Sequence, residues 1–316
     1  MITIGTILDA KNRIEKYIYK TPFEKSMYLS DDNTNIFLKM ENQQRTASYK
    51  IRGALSKITS LSDEKKREGI VAISSGNHGA AVSYASSLLG LSNVTIYVPT
   101  TTPKTKIDKI EYYGANVEKV GINYDETYEI GMKRIKDSRA SFIDSSSDEE
   151  VISGQGTIAL EMLEDNPNID TILVPIGGGG VLTGISVAAK SINPDIEIIG
   201  LQTAACPSMV AALRDEVFYE KYPSEESICD ALIGGVGAIP YKMAKECIDD
   251  IILVEEEDIK NAIRHLLLKE KLIVEPAGAI GVGAFIKNSN RFKGKNLAIV
   301  LTGGNIDEEL IKHILK

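Results

Sequence analysis

The feature that most constrains the fold is a recurring order: a short β-branched run, a glycine-containing turn, and then a helical pattern. Residues 171–176 form such a run and lead into four consecutive glycines and a helix-forming segment. Residues 69–73 lead in the same way into a polar turn. Further runs lie at residues 94–99, 115–120 and 196–201. Because strands that alternate with helices pack as a mostly parallel sheet with helices on both faces, we predict an α/β fold.

Composition argues against several functional classes. The chain has 316 residues, enough for about two domains, and its formal net charge of −8 argues against a nucleic-acid partner. Its three cysteines are widely spaced without a C-x-x-C pair, so we expect neither a disulfide framework nor a zinc site. No apolar run reaches the ~18 residues that span a bilayer, and the first residues do not resemble a signal peptide. We therefore predict a cytoplasmic protein without a membrane partner.

One lysine lies in an unusual setting. Ser48 precedes a segment with helical spacing of apolar residues and is predicted to be its N-cap, which places Lys50 in the first turn. The positive end of the helix dipole disfavours the ammonium form there, and the neutral amine is the form that makes a Schiff base. Gly53, inside the same helix, indicates a close approach by another segment. Lys50 is therefore a candidate nucleophile.

Two glycine-containing turns are candidates for anion binding, because free N–H groups point outward where a strand passes into a helix. The first, here called the anion loop, has the sequence Ser-Ser-Gly-Asn-His-Gly at residues 74–79. The second, here called the glycine cup, consists of Gly177, Gly178, Gly179 and Gly180. The cup lacks the Gly-Lys-Ser/Thr of a nucleotide loop, and the next strand ends in Gln202 rather than an acidic residue. The pattern favours a single phosphate group over a nucleotide.

Five motifs resemble one enzyme family in order and spacing. They are the lysine segment 48–54, the anion loop, the glycine cup, Glu-Pro-Ala-Gly-Ala at 275–279 and Thr-Gly-Gly-Asn at 302–305. Together they resemble the fold type II pyridoxal-phosphate enzymes, in the serine/threonine dehydratase and serine racemase branch. The resemblance covers nearly the whole chain. It implies two interleaved three-layer domains with mostly parallel sheets, similar to the tryptophan synthase β subunit. We expect a large cofactor-binding domain from residues 1–68 plus 146–316, and a small domain from 69–145 that carries the anion loop.

The resemblance also implies roles for individual residues. Lys50 binds pyridoxal phosphate covalently, and the glycine cup holds the cofactor phosphate. Thr302, where the closest members have Ser or Cys, offers a hydroxyl to the ring nitrogen. Tyr49, where Phe is usual, flanks the ring. The remaining implied residues are Asn77 and Glu275 for the cofactor, and Ser74, Ser75, Asn77 and His78 for the substrate carboxylate.

The implied activity is β-elimination from hydroxyamino acids. L-Threonine would give 2-oxobutanoate and ammonia, and L-serine would give pyruvate and ammonia. Lys50 would take the Cα proton, while Ser75 would face the opposite side of the ring, which leaves serine racemase as an alternative. Hydroxyaspartate ammonia-lyase is a second alternative, and a β-replacement enzyme or a non-catalytic protein that binds pyridoxal phosphate are further ones.

Metal and oligomer expectations follow from the same resemblance. Metal-assisted members of the branch carry carboxylates after the strand equivalent to residues 196–201. This chain has Gln-Thr-Ala-Ala-Cys at residues 202–206, and hard cations need carboxylates, so we expect no Mg²⁺ or Ca²⁺ site there. A homodimer is expected from the resemblance alone.

Overall fold

The structure is a computed structural model that describes residues 1–316. It contains ten strands, numbered in chain order. Their bounds are β1 (Phe23–Lys25), β2 (Asn35–Lys39), β3 (Ile70–Ile73), β4 (Val94–Val98), β5 (Asn116–Lys119), β6 (Ser141–Phe142), β7 (Thr171–Pro175), β8 (Glu197–Thr203), β9 (Asp250–Val254) and β10 (Asn296–Val300).

The strands form two sheets. The larger has the order β1-β2-β10-β7-β8-β9, and the smaller has the order β5-β4-β3-β6. Every pairing is parallel except that of β1 with β2. At the centre of the larger sheet, Leu297 of β10 lies opposite Ile36 on one side and Thr171 on the other. The predicted α/β class with mostly parallel sheets is confirmed.

Thirteen α-helices cover the sheets. Their bounds are α1 (Ile4–Ile14), α2 (Lys50–Ser60), α3 (Asp63–Glu68), α4 (Asn77–Leu88), α5 (Lys104–Tyr112), α6 (Tyr124–Lys136), α7 (Glu149–Asp165), α8 (Gly180–Ile192), α9 (Ser208–Asp215), α10 (Ala238–Cys247), α11 (Glu256–His265), α12 (Pro276–Lys287) and α13 (Glu308–Leu315). None of them combines the length and the apolar character that a bilayer span needs.

Helices bury both faces of the larger sheet. Successive side chains of a strand point to opposite faces, and β10 shows the result. Ala298 and Val300 belong to a core cluster that includes residues of α7 and α8. Leu297 and Ile299 belong to a second cluster, which includes residues of α11 and α12. The carboxyl ends of the strands are therefore held in place by two separate cores.

Helix α2, which begins at Lys50, lies between the two sheets. Its residues Ile51 and Leu55 pack in a third core cluster with Ile70 of the smaller sheet. On another side α2 contacts α7, where a Cβ on Gly53 would lie 2.8 Å from the carbonyl oxygen of Val151. The close approach predicted at Gly53 is confirmed. The strands of the smaller sheet all come from residues 70–142, which supports the predicted domain boundaries, but those boundaries stay a proposal.

Several helix boundaries differ from those that the sequence predicts. Helix α2 has Tyr49, not Ser48, as its N-cap, although the hydroxyl of Ser48 accepts the N–H of Lys50 at 3.3 Å. The sequence pattern predicts a helix from Ala80, but α4 begins three residues earlier, at Asn77. It also predicts a helix from Gly154, but α7 begins at Glu149, because the carboxylate of Asp148 caps the amides that follow it. Strand β1 and helices α3, α9, α10 and α13 are additional to the predicted elements.

Candidate active site

The five motifs lie together at the carboxyl ends of the strands. The anion loop follows β3, the glycine cup follows β7, and residues 302–305 follow β10. The lysine segment is attached to this last group: the N–H of Tyr49 donates to the carbonyl of Thr302 at 3.1 Å, and Ser48 forms a β-bridge with Gly303. The N–H of Glu275 donates to Gly303 as well, at 2.9 Å. Open α/β sheets bind their ligands at this edge.

The amine of Lys50 has a neutral partner. Its Nζ donates to the carbonyl oxygen of Ser145 at 3.3 Å and lies 5.2 Å from the centre of the Tyr49 ring. The side chain is half-buried. Because no carboxylate is its hydrogen-bond partner, the amine is available for covalent chemistry without first breaking an ion pair.

The glycine cup presents a row of free donors. The N–H groups of residues 177–182 donate to no group of the protein, whereas the amides on either side, of Ile176 and Thr183, are bonded. Gly179 has φ +91°, and a Cβ on Gly178 would lie 2.6 Å from Oγ of Ser146. Side chains at these positions would strain the backbone or fill the cup. Free amides at the N-terminus of α8 fit a phosphate group.

The anion loop is a second, smaller set of donors. The amides of Asn77, His78 and Gly79, at the N-terminus of α4, have no partner in the protein. The loop is shaped by an N–H of Gly76 that donates to Oγ of Ser74 at 3.2 Å. Ser74 and Ser75 are half-buried. Three free amides beside two hydroxyls are suited to a carboxylate.

The side chain of Asn77 is held in one orientation. Its Nδ2 donates to Oε1 of Glu275 at 2.8 Å, and its Oδ1 accepts from Nδ2 of Asn305 at 2.6 Å. Nζ of Lys109 in turn donates to Oδ1 of Asn305 at 2.6 Å. Because Nδ2 carries two hydrogens, one remains for a ligand. This geometry is compatible with the predicted bond to the cofactor ring.

The carboxylate of Glu275 holds the side chain of Asn77 in place by a hydrogen bond. Glu275 is 8% exposed, and burial raises the pKa of its carboxyl, although the hydrogen bond from Asn77 acts in the opposite direction. Its Oε2 accepts the N–H of Asn305 at 3.2 Å. Direct cofactor binding by Glu275 stays a prediction, and the contacts in the structure make it a residue that positions Asn77.

His78 does not offer its ring to a carboxylate. The ring is 3% exposed, its Nε2 donates to the carbonyl of Ile143 at 2.8 Å, and its Nδ1 has no partner. Burial, with a contribution from the charge of Lys50, lowers its pKa to about 4. The ring is therefore neutral at pH 7 with its proton on Nε2, so Nδ1 cannot donate. We restrict the prediction for His78 to its main-chain amide.

The residues present fit pyridoxal phosphate. The cup offers amides to the phosphate, and Lys50 offers an amine. Thr302 follows β10, is 3% exposed, and accepts the main-chain N–H of Tyr49 in the lysine segment. A depression of about 730 Å³ at the opposite edge, which includes Asn35 and Asn296 at the starts of β2 and β10, is remote from these groups. The ligand site is therefore assigned to the carboxyl edge.

A buried ionic network beneath Lys50 was not predicted. The guanidinium of Arg52 is fully buried and binds both oxygens of Glu41 and both of Glu161, at 2.6 to 2.8 Å. Nζ of Lys39 pairs with Glu161 at 2.5 Å. The network ties α2 to β2 and α7, two residues from Lys50. The sequence signal was an arginine inside an otherwise apolar helix face, but its partners are distant in the chain.

The segment after β6 was also missed. Oδ1 of Asp144 accepts the amides of Ser146 and Ser147, both at 2.7 Å, and Oγ of Ser147 accepts the N–H of Ala238 at 2.8 Å. With Ser145 beside Lys50 and Ser146 beside the cup, residues 144–147 lie between the two. Three serines in a row at a strand end were the available signal, comparable to those of the anion loop.

Comparison with known proteins identifies the family. Residues 14–303 match the model of the pyridoxal-phosphate-dependent enzymes. The chain belongs to this family. It is 40% identical to an L-threonine ammonia-lyase of Thermotoga maritima over 317 residues, which cover this chain fully and 78% of that protein. It is 38% identical to a catabolic L-threonine dehydratase of Staphylococcus aureus, with full coverage of this chain and 92% of that protein.

The family fold is equally clear in solved structures. Maize serine racemase superposes with a TM-score of 0.91 at 31% identity, over 99% of this chain and 97% of that one. The predicted membership in the pyridoxal-phosphate family, with its cofactor, is therefore confirmed. The names of these three relatives each give an amino acid, threonine or serine, as the substrate.

Proposed function

We propose that this protein is a pyridoxal-phosphate-dependent ammonia-lyase that converts L-threonine to 2-oxobutanoate and ammonia, and L-serine to pyruvate and ammonia. The observation that carries the proposal is the joint position of the Lys50 amine, the free amides of the cup after β7 and the free amides of the anion loop after β3, all at the carboxyl ends of strands. The names of the two relatives above support the choice of reaction.

The residues of the chain divide the work as follows. The amides of Asn77, His78 and Gly79 hold the substrate carboxylate, and this fixes the amino acid with its Cα near Lys50. Bound pyridoxal phosphate supplies an electron sink for the bonds of that carbon. Lys50 takes the Cα proton. Thr302 would offer a neutral hydroxyl to the ring nitrogen of bound pyridoxal phosphate, and a neutral partner there would favour loss of the β-hydroxyl over accumulation of charge on the ring.

The glycine cup has a chemical role in addition to binding the phosphate. Its amides and the dipole of α8 would hold the phosphate of bound pyridoxal phosphate, and that phosphate would supply the proton that the departing hydroxyl needs. The product enamine hydrolyses in water to the 2-oxo acid and ammonia, so one water is lost and one is regained. We also propose, from the family resemblance, that the protein acts as a homodimer in the cytoplasm.

The proposal is tested with the purified holoenzyme. It should show the visible absorption band of the bound cofactor, and should release 2-oxobutanoate from L-threonine and pyruvate from L-serine. Lys50→Ala should lose both the band and the activity. Lys269→Ala, at an exposed lysine, is the matched control and should keep both. Bound cofactor without keto acid from either substrate would overturn the proposed reaction.

Serine racemisation is a second candidate activity. It is favoured by Ser75, which lies half-buried in the anion loop, and by the close similarity to maize serine racemase. A two-base reaction needs Ser75 on the ring face opposite Lys50. Ser75→Ala should abolish D-serine formation from L-serine and largely spare pyruvate formation. Equal loss of both products would count against a second base at this position.

A further inference from the structure

A carboxylate that no predicted role uses lies beside the candidate site. Asp144 follows β6, which pairs with β3 in the smaller sheet, so the segment after β6 is next to the anion loop that follows β3. The next residue, Ser145, accepts the hydrogen bond from the Lys50 amine at 3.3 Å. A substrate with its carboxylate on the anion loop and its Cα near Lys50 therefore has Asp144 as a neighbour.

The carboxylate is held but not neutralised. Its Oδ1 accepts two main-chain amides, of Ser146 and Ser147, each at 2.7 Å. No lysine or arginine forms an ion pair with Asp144, although lysine and arginine ion pairs are common elsewhere in the structure. The side chain is half-buried, so solvent screens its charge only in part. The local charge is negative and fixed in position.

Several titratable groups surround Asp144. The charge of Asp144 acts on the ring of His78 on one side, and on the phenols of Tyr124 and Tyr128 in α6 on the other. The other carboxylates that act on these phenols are Asp125 on Tyr124 and Glu220 on Tyr128. Two cations lie near the site: Lys50, which the cofactor occupies in the proposed enzyme, and Lys109, which donates to Asn305.

We propose that Asp144 is a specificity-determining residue that excludes hydroxyamino acids with a second carboxylate, such as 3-hydroxyaspartate, and reserves the site for those with uncharged side chains. The inference rests on the proposed ammonia-lyase function and selects among its substrates. Like charges at short range in a partly dry cleft disfavour binding and the transition state equally, so the effect appears in kcat/KM.

The experiment compares two keto acids released by the holoenzyme. The ratio of kcat/KM for L-threo-3-hydroxyaspartate, measured as oxaloacetate, to that for L-serine, measured as pyruvate, should be low in the unaltered enzyme. Asp144→Asn should raise this ratio about tenfold, the effect of one partly screened charge. Asp137→Asn removes the same charge from an exposed position of the same region and should leave the ratio unchanged. Asp144→Glu, which keeps the charge, should keep the ratio low.

The outcomes separate the two proposals. If the unaltered enzyme forms no keto acid from serine or threonine, the proposed function fails. If serine is turned over but the ratio in Asp144→Asn stays within about twofold of the unaltered enzyme, only the role of Asp144 fails. An equal rise in Asp137→Asn would assign the effect to net charge and overturn the role as well. Asp144→Ser, with a hydroxyl that can accept the same amides, replaces Asp144→Asn if the latter is isolated unfolded.

Discussion

The buried network around Arg52 gives the sharpest prediction about stability. In Arg52→Leu the five hydrogen bonds of the guanidinium to Glu41, Glu161 and Thr157 are lost. Both carboxylates stay buried, and Lys39 is the remaining cation beside them. Removal of one partner from a buried ion pair leaves an uncompensated charge and costs about 3–5 kcal/mol. At roughly 2–4 °C per kcal/mol for chains of this size, the Tm should fall by about 10 °C.

The assay is thermal unfolding of the holoenzyme followed by circular dichroism and by loss of the cofactor band. Arg134→Leu is the control: it removes an arginine from an exposed pair with Glu118, and exposed pairs contribute about 0–1 kcal/mol. Arg52→Leu combined with Glu161→Leu should regain part of the loss, because one orphaned carboxylate is gone. If Arg52→Leu lowers the Tm no more than Arg134→Leu does, the network does not stabilise the fold as argued.

Three further predictions concern the cup and two titrating groups. Gly179→Ala should weaken cofactor binding about tenfold in equilibrium dialysis, since a side chain at positive φ costs roughly 1–2 kcal/mol. Gly90→Ala is the control: Gly90 has φ +70° with open space around it, and its substitution should leave cofactor binding unchanged. The His78 ring should show no titration between pH 6 and 8 by NMR, because its pKa lies at about 4, and a midpoint near 6.5 would contradict its burial. Burial raises the pKa of the Glu161 carboxyl, but the charge of Arg52 outweighs burial, and the pKa in the folded protein is lower than 4.5. The ionised carboxylate therefore contributes its full stabilisation above pH 4.5, and this stabilisation is lost as the pH falls through the pKa of the folded protein. Urea unfolding at pH 7 and pH 3.5 should therefore show a larger loss of free energy for the unaltered protein than for Glu161→Gln.

The sequence predicts those parts of the site whose residues are close together in the chain. The glycine cup and the anion loop each lie within six residues of sequence, and a strand before and a helix after are enough to orient their amides. The start of α2 was misplaced by one residue for a similarly local reason: the Ser48 hydroxyl does accept the Lys50 amide, but the backbone becomes helical at Tyr49. An error of one residue in a helix start leaves the prediction of the lysine segment unchanged.

Features that depend on distant pairing were not predictable from one sequence. The partner that fixes the tautomer of His78 is the carbonyl of Ile143, 65 residues away. The bonds between Arg52 and Glu161 join residues 109 apart. No periodicity or spacing encodes these contacts, because they arise when α2, α4, β6 and α7 are packed against one another. The sequence therefore predicts neither the buried, neutral state of the His78 ring nor the ionic network around Arg52.

The order of strands in the larger sheet sets when this enzyme can become functional during its synthesis. Asn35 and Asn296, hydrogen-bonded at the starts of β2 and β10, are 261 residues apart. Translation delivers β10 last of all the strands, yet it is the strand that joins β2 to β7. The smaller sheet, drawn from residues 70–142, can form well before that moment. A nascent chain therefore exposes two unjoined halves of a sheet, one leading to the lysine and the other to the glycine cup. A cofactor site that needs both halves is therefore complete only after β10 has paired with β2 and β7.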